Sequence, residues 1–192
     1  MDDGRLRGSM VDRQSSEPKP YALRATIYTI GFLLMVFGVV PSFFYIAEQY
    51  VLGRGELGFW THAGIFWRGF RALSGLAIFS MGMAAYIYCS VWLITYGKGP
   101  HVEFDHPKEF VCDGPYRWVR NPVVIALIVT AVGMALYLAS WGLAVFVALG
   151  MVFAHWQATK IEEPNLTERF GKSYTDYCQR VNRWIPRPPS KD

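Results

Sequence analysis

Uncharged apolar stretches, separated by short charged segments, dominate the hydropathy pattern of the chain. Residues 25–47 carry no charge, and neither do residues 72–97 or residues 122–159. Each stretch is long enough to cross a bilayer as an α-helix, which requires about 20 apolar residues. Because 52% of all residues are also hydrophobic, the pattern predicts an all-α integral membrane protein.

The third stretch is too long for a single crossing. As one helix, residues 122–159 would measure about 57 Å, nearly twice the roughly 30 Å of a hydrocarbon core. Ser140, Trp141 and Gly142 lie near its midpoint and are residue types of turns and membrane interfaces. We therefore expect a helical hairpin over about 122–159, and four transmembrane helices at about 25–47, 71–96, 122–139 and 142–159.

A hairpin returns the chain to the membrane face that it left. Arg120 and Asn121 precede the hairpin, and Glu162 and Glu163 follow it, so the four side chains should meet at one face. An arginine, an amide and two carboxylates at a lipid boundary predict a site for a polar, partly charged ligand. Glu162 is expected to face this ligand, and Glu163, about 100° further round an α-helix, to matter less.

The distribution of basic residues predicts the orientation. Sixteen of the 19 lysines and arginines lie before the first apolar stretch, between the second and third, or after the third. By the positive-inside rule, both termini and the central loop should be cytoplasmic, at the inner membrane if the source is bacterial. Since these bases flank membrane helices, the net charge of +4 needs no nucleic-acid partner.

The polar flanking segments set the domain boundaries. Residues 1–20 are expected to form a mobile polar leader, and residues 21–192 a single membrane domain whose ligand region is about 97–187. The oligomeric state stays open. In the central loop, His101, Glu103, Asp105 and His106 lie close together, but no second cluster has zinc-site spacing, so we expect no metal.

Two further patterns predict packing. After the hairpin, apolar residues recur at helical spacing and predict a C-terminal amphipathic helix on the membrane surface. Within the last transmembrane helix, Gly150, Ala154 and Ala158 form a stripe of small residues, which is expected to serve close contact with a neighbouring helix. The residues of the amphipathic stripe are Leu166, Phe170, Tyr174, Tyr177 and Val181.

Several short motifs occur in one order at one spacing over about residues 108–187. They are Gly114-Pro115-Tyr116-x-x-x-Arg120-Asn121-Pro122, then Glu162-Glu163-x-x-Leu166, then Phe170-Gly171-x-x-Tyr174-x-x-Tyr177 and Arg183-Trp184-Ile185-Pro186. With the uncharged hairpin between them, this arrangement resembles the integral-membrane isoprenylcysteine carboxyl methyltransferase and phospholipid methyltransferase family.

The resemblance implies a lipid-modifying enzyme that uses S-adenosylmethionine at the cytoplasmic boundary and methylates an O, N or S atom of a lipophilic acceptor. Arg120 and Asn121 become the candidate catalytic residues, with Arg120 neutralising the cofactor carboxylate or bracing the pocket. The positions that match the family's cofactor-contacting positions are Lys108, Glu109, Phe110, Val111, Tyr116, Asn121 and Glu162.

The chain departs from the family pattern at three positions. The motif usually reads Arg-His-Pro-x-Tyr, and Asn121 and Val124 replace its His and Tyr. Many bacterial relatives read Arg-Asn-Pro. Ala158 stands where the prenylcysteine enzymes carry an arginine for their substrate, which disfavours a prenylcysteine carboxylate as the acceptor.

Two other functions stay open at this point. Membrane reductases of the sterol-reductase type have a similar helical end and would bind NADPH, although a pair of carboxylates suits an ammonium better than a phosphate. A non-catalytic membrane scaffold would use the same charges only to mark the ends of its helices.

Overall fold

The computed structural model describes residues 20–52, 64–97 and 109–188, and the regular structure in these ranges is helical. Helix α1 begins as Pro20–Leu34, passes through a π-helical turn at Met35–Val39 and ends as Val40–Leu52. Helix α2 is Ile65–Gly97. Residues 1–19 of the predicted leader lie outside the described ranges. So do Lys108 and the four residues of the central loop that were considered as metal ligands.

Four α-helices lie in the described residues 109–188. A 3₁₀ turn, Gly114–Arg117, leads into α3, Pro122–Leu138. Helix α4, Trp141–Gln157, continues through a second π-helical turn at Ala158–Glu162 into α5, Glu163–Phe170. After Gly171, whose φ is +52°, α6 follows as Lys172–Arg180.

Three of the described helical segments are long and apolar enough to cross a membrane. They are Thr26–Val51, Ile65–Gly97 and Trp141–Phe170, and they make the chain an integral membrane protein. The first two agree with predicted spans, and the third extends the predicted last span by one more helix. Helix α3 is apolar but has 17 residues, which gives it a length of about 26 Å.

Both π-helical turns precede a proline. Pro41 follows the first turn and Pro164 follows the second, and at each turn a backbone N–H donates to the carbonyl five residues back, from Val40 to Met35 and from Glu163 to Ala158. Since proline removes one N–H from the helical ladder, a local change of register lets the helix continue. The second turn lies where Glu162 and Glu163 were predicted to form a site.

Helices α2 and α3 pack with their backbones in contact. A Cβ added to Gly133 would lie 2.3 Å from the Phe79 amide nitrogen, and one added to Gly75 would lie 2.5 Å from that of Tyr137. Small residues permit such close approach between membrane helices. The prediction that Gly150 on α4 makes such a close contact is wrong, because a Cβ added there would have no atom within 4 Å.

Two charged side chains hold the tip of the hairpin. The carboxylate of Glu48, which is 7% exposed, accepts hydrogen bonds from the Ser140 hydroxyl and, at 3.2 Å each, from the Trp141 and Gly142 amides at the start of α4. The Arg71 guanidinium from α2 donates to the last carbonyls of α3. Both charges oppose the partial charge of the helix end that they contact.

The C-terminal amphipathic stripe packs against protein. Tyr174 and Tyr177 are each 4% exposed and, with Val181, form one apolar cluster with Phe110 from the loop before the hairpin. The predicted surface helix therefore turns its apolar face toward the candidate site, because the aromatic residues of that loop offer it a dry partner.

The α2–α3 contact predicts a context-dependent effect of alanine. Alanine is favoured over glycine in a helix by about 1 kcal/mol, so Gly31→Ala, whose Cβ meets open space, should keep or raise the thermal unfolding temperature. Gly133→Ala should lower it, because the Cβ would force two backbones apart at about 1–3 kcal/mol. Equal unfolding temperatures for the two variants would contradict the close packing.

Candidate functional site

A cavity of about 660 Å³ lies between the helices and the loop before the hairpin. This volume falls within the roughly 300–1,000 Å³ that is typical of small-molecule sites. One end is polar and is lined by Glu109, Tyr116, Arg120, Asn121, Gln157, Glu162, Glu163 and Asn165. The rest forms an apolar arm along α1, α3 and α4, lined by Phe32, Val36, Leu127, Ile128, Ala131, Phe146, Val147, Gly150 and Ala154 among others.

The polar end brings together residues from both sides of the hairpin. Arg120 and Asn121 come from the loop before α3, and Glu162 and Glu163 from the π-helical turn after α4. An ion pair of 2.9 Å joins Arg120 Nη1 to Glu163 Oε1. The expectation that the hairpin would set these residues against each other is confirmed.

Most of the predicted cofactor-contacting positions line the same end. Glu109, Phe110, Val111, Tyr116, Asn121 and Glu162 all border the cavity, whereas Lys108 lies outside the described residues. Their contacts with a cofactor stay a prediction.

Glu163 has a larger role than its position along a regular helix predicts. Its carboxylate accepts two hydrogen bonds from Arg183, from Nε at 2.6 Å and from Nη2 at 2.7 Å, in addition to the Arg120 ion pair. These bonds raise the pKa of Arg183 above its ordinary value, the hydrogen bond to Glu163 being the largest cause. Because the π-helical turn alters the rotation per residue, Glu162 and Glu163 both reach the cavity.

The tail after α6 closes over this end of the molecule. The Arg120 amide donates to the Asn182 carbonyl at 2.9 Å, and the Arg187 amide donates to the Trp118 carbonyl at 2.8 Å. Arg183 belongs to one of the sequence motifs, but the motif predicts no role for it. Its bidentate bond to a carboxylate 20 positions earlier depends on the return of the tail to α5, which no sequence pattern indicates.

Tyr116 is buried, and its main-chain carbonyl is fixed by a hydrogen bond. The Tyr177 hydroxyl donates to the Tyr116 carbonyl at 2.7 Å. Two residues earlier, Gly114 has a φ of +59°, and a Cβ there would lie 2.3 Å from the Trp92 ring, so that only glycine fits. Burial raises the pKa of the Tyr116 hydroxyl, and the side chain is therefore a neutral phenol at physiological pH.

Four aromatic rings form a wall beside the polar end of the cavity. The Phe110 ring lies 5.3 Å from the rings of Phe170 and Tyr177, and 5.9 Å from that of Tyr174. These separations are typical of stable aromatic pairs. Phe110, Phe170 and Tyr174 of this wall border the cavity and offer rings to a planar or cationic ligand.

The charges of the polar end suit a zwitterionic ligand. The Glu162 carboxylate can accept hydrogen bonds from an ammonium group. Its Oε1 atom already accepts one, at 3.4 Å, from Nε2 of Gln157. The Arg120 guanidinium lines the same end and adds a positive charge, which suits an anionic group of the ligand.

The two arginines of the tail should contribute differently to its position. Arg183 binds Glu163 through its side chain, whereas the hydrogen bond of Arg187 to Trp118 comes from its main-chain amide. We expect Arg183→Ala to lower the free energy of unfolding by about 1.5–3 kcal/mol, the contribution of a hydrogen bond to a charged group. The amide of Arg120 should also exchange with deuterium faster, since its acceptor belongs to the tail. Arg187→Ala is the control and should change neither, and identical exchange in both variants would contradict the role of Arg183.

Comparison with known proteins assigns the chain to a family. The family model for phospholipid methyltransferases matches residues 70–173, which is more than half of the 192 residues and includes α3, α4 and both carboxylates. The comparisons with curated proteins and with solved structures gave no match. With the matched region containing the hairpin and the polar end of the cavity, the chain belongs to the phospholipid methyltransferase family of membrane methyltransferases.

Proposed function

We propose that the chain transfers a methyl group from S-adenosylmethionine to a nucleophilic atom of a lipophilic acceptor at the cytoplasmic boundary of the membrane. The observation that carries the proposal is the shape of the cavity, whose charged end continues into an apolar arm between membrane helices. In a member of a methyltransferase family, the two parts suit a polar cofactor and a hydrocarbon chain.

The residues at the polar end have chemistry that fits the cofactor. Glu162 would hold the ammonium group, and Arg120 the carboxylate, while Glu163 and Arg183 keep Arg120 in place. Phe110 and Tyr116 would contact the adenine and the cationic sulfonium. When bound, the cofactor supplies a methyl carbon that bonds to a lone pair of the acceptor as its bond to sulfur breaks and sulfur keeps the electron pair.

The protein's contribution is mainly alignment and exclusion of water. Methyl transfer between aligned groups requires little acid–base chemistry, and a primary amine acceptor would release its proton at the cytoplasmic face. The aromatic wall and the buried Tyr116 would limit the access of water to this end once a ligand fills it. Asn121, which borders the cavity without capping α3, is the proposed residue for orienting the acceptor.

Ala158 favours an acceptor without a carboxylate. Alanine carries no charge, so this buried position offers no cation where prenylcysteine enzymes place arginine. An amine- or thiol-bearing lipid is therefore the proposed acceptor. It would enter from the bilayer, the cofactor would enter from the cytoplasm, and α3 would complete four crossings with both termini cytoplasmic.

The function predicts a specific cofactor and a specific acceptor. Purified protein in nanodiscs should bind S-adenosylmethionine in calorimetry and should not bind NADPH, because the carboxylates of Glu109 and Glu162 at the polar end repel phosphates. It should transfer labelled methyl to phosphatidylethanolamine faster than to farnesylcysteine. Binding of NADPH instead would indicate a reductase, binding of neither would favour a scaffold, and efficient methylation of farnesylcysteine would contradict the role of Ala158.

Removing one charge should weaken cofactor binding without unfolding the protein. Glu162→Gln keeps the size of the side chain, so we expect an affinity loss of about 1.5–3 kcal/mol, roughly ten- to a hundredfold. Glu168→Gln is the control, because Glu168 is exposed on α5 and does not line the cavity. Unfolding temperatures measured in parallel should match the unsubstituted protein, and equal affinities for both variants would leave Glu162 as a helix-end charge.

A further inference from the structure

Gly150 lies on α4 where the helix passes the apolar arm of the cavity. It borders the cavity, and a Cβ added to it would have no atom within 4 Å. Gly133 differs in this respect, because its missing Cβ lets two backbones touch. Since glycine is a poor helix former and no neighbour fills the space at position 150, that space belongs to the cavity.

The position of Gly150 divides the arm into an inner and an outer part. Gly150 precedes Gln157, at the polar end, by seven residues, or about 10 Å along a helix. Phe146 is one turn further from the polar end, and its ring lies 5.5 Å from the ring of Phe44 on α1. The outer part of the arm thus lies between Gly150 and Phe146, which both border the cavity.

We propose that Gly150 sets the length of the hydrocarbon chain that the acceptor can carry. The inference rests on the proposed function, in which the acceptor's chain occupies the arm. With a hydrogen atom as its side chain, Gly150 leaves the outer part open to a long chain. A large side chain at this position would project into the arm and leave space for the first part of the chain only.

The physical basis is steric fit of the methylene groups in the arm. An acceptor that enters from the bilayer leaves a medium as apolar as the arm, so the length of its chain matters only through the space that the arm offers. A large side chain at position 150 would overlap the outer methylenes of a long chain, and such overpacking is unfavourable, whereas a short chain ends before it. Gly150→Leu should therefore discriminate against long chains and spare short ones.

Methyl transfer to alkylamines of graded length tests this directly. Hexylamine, dodecylamine and hexadecylamine are the probes, with protein in nanodiscs of one composition. For Gly150→Leu we expect kcat/KM to fall about tenfold for hexadecylamine, because its outer methylenes would overlap the new side chain, and to stay within about twofold for hexylamine. Gly31→Leu is the control, since Gly31 also has open space around it but does not line the cavity.

A photochemical measurement tests the same inference without catalysis. Hexadecylamine with a diazirine at its terminal carbon should label the peptide that contains Phe146 in the unsubstituted protein and in Gly31→Leu. Gly150→Leu should lose most of this label. Gly150→Ala, a smaller change, should lose less, and it serves as the test variant if Gly150→Leu does not fold.

The two measurements separate the chain-length inference from the proposed function. If label at Phe146 depends on position 150 and no methyl is transferred, the arm binds chains as inferred and the methyl transfer is wrong. If methyl is transferred with the same chain-length dependence in all variants, or if label at Phe146 is absent or equally strong in all of them, the role of Gly150 is overturned.

Discussion

The carboxylate of Glu163 is the contact on which the polar end of the molecule depends. It binds Arg120 from the loop before the hairpin and Arg183 from the tail after α6, so that one side chain joins three segments. Two arginines share its charge in a partly buried setting, where a carboxylate without partners would be unfavourable. Because the pair Arg120–Glu163 spans the hairpin, it also sets which residues of α3 and α4 face each other at the cavity.

Glycine has opposite uses in the two halves of the helical bundle. Between α2 and α3, Gly75, Gly82 and Gly133 remove side chains so that the backbones touch. Between α1 and α4, such contact occurs at the tip, where Gly142 lies against the Phe44 carbonyl, whereas Gly150 further along α4 leaves open space. The loop that carries Arg120 thus joins a closely packed pair of helices, while α1 and α4 border the cavity.

The hairpin tip shows how helix ends are stabilised far from the site. Glu48 binds the first amides of α4, and Arg71 binds the last carbonyls of α3. In a setting with little water, each unpaired backbone group would be costly. Placing a negative charge at one helix start and a positive charge at one helix end satisfies these groups and the helix dipoles together. The hairpin can thus hold its polar residues at the opposite end in register.

The sequence by itself determined the helical class, the hairpin with its turn near Ser140, and the meeting of Arg120 with the carboxylates after α4. These follow from hydrophobic length and charge placement, which act along the chain and depend on the bilayer alone. Only the tertiary structure decided that Glu163 is the bridging carboxylate, that Arg183 returns to it, and that Gly150 borders a cavity. A tail that folds back and a gap between helices are consequences of packing between distant segments, and no local pattern encodes them. The π-helical turn follows from Pro164, but the partners that it gives Glu163 come from those distant segments.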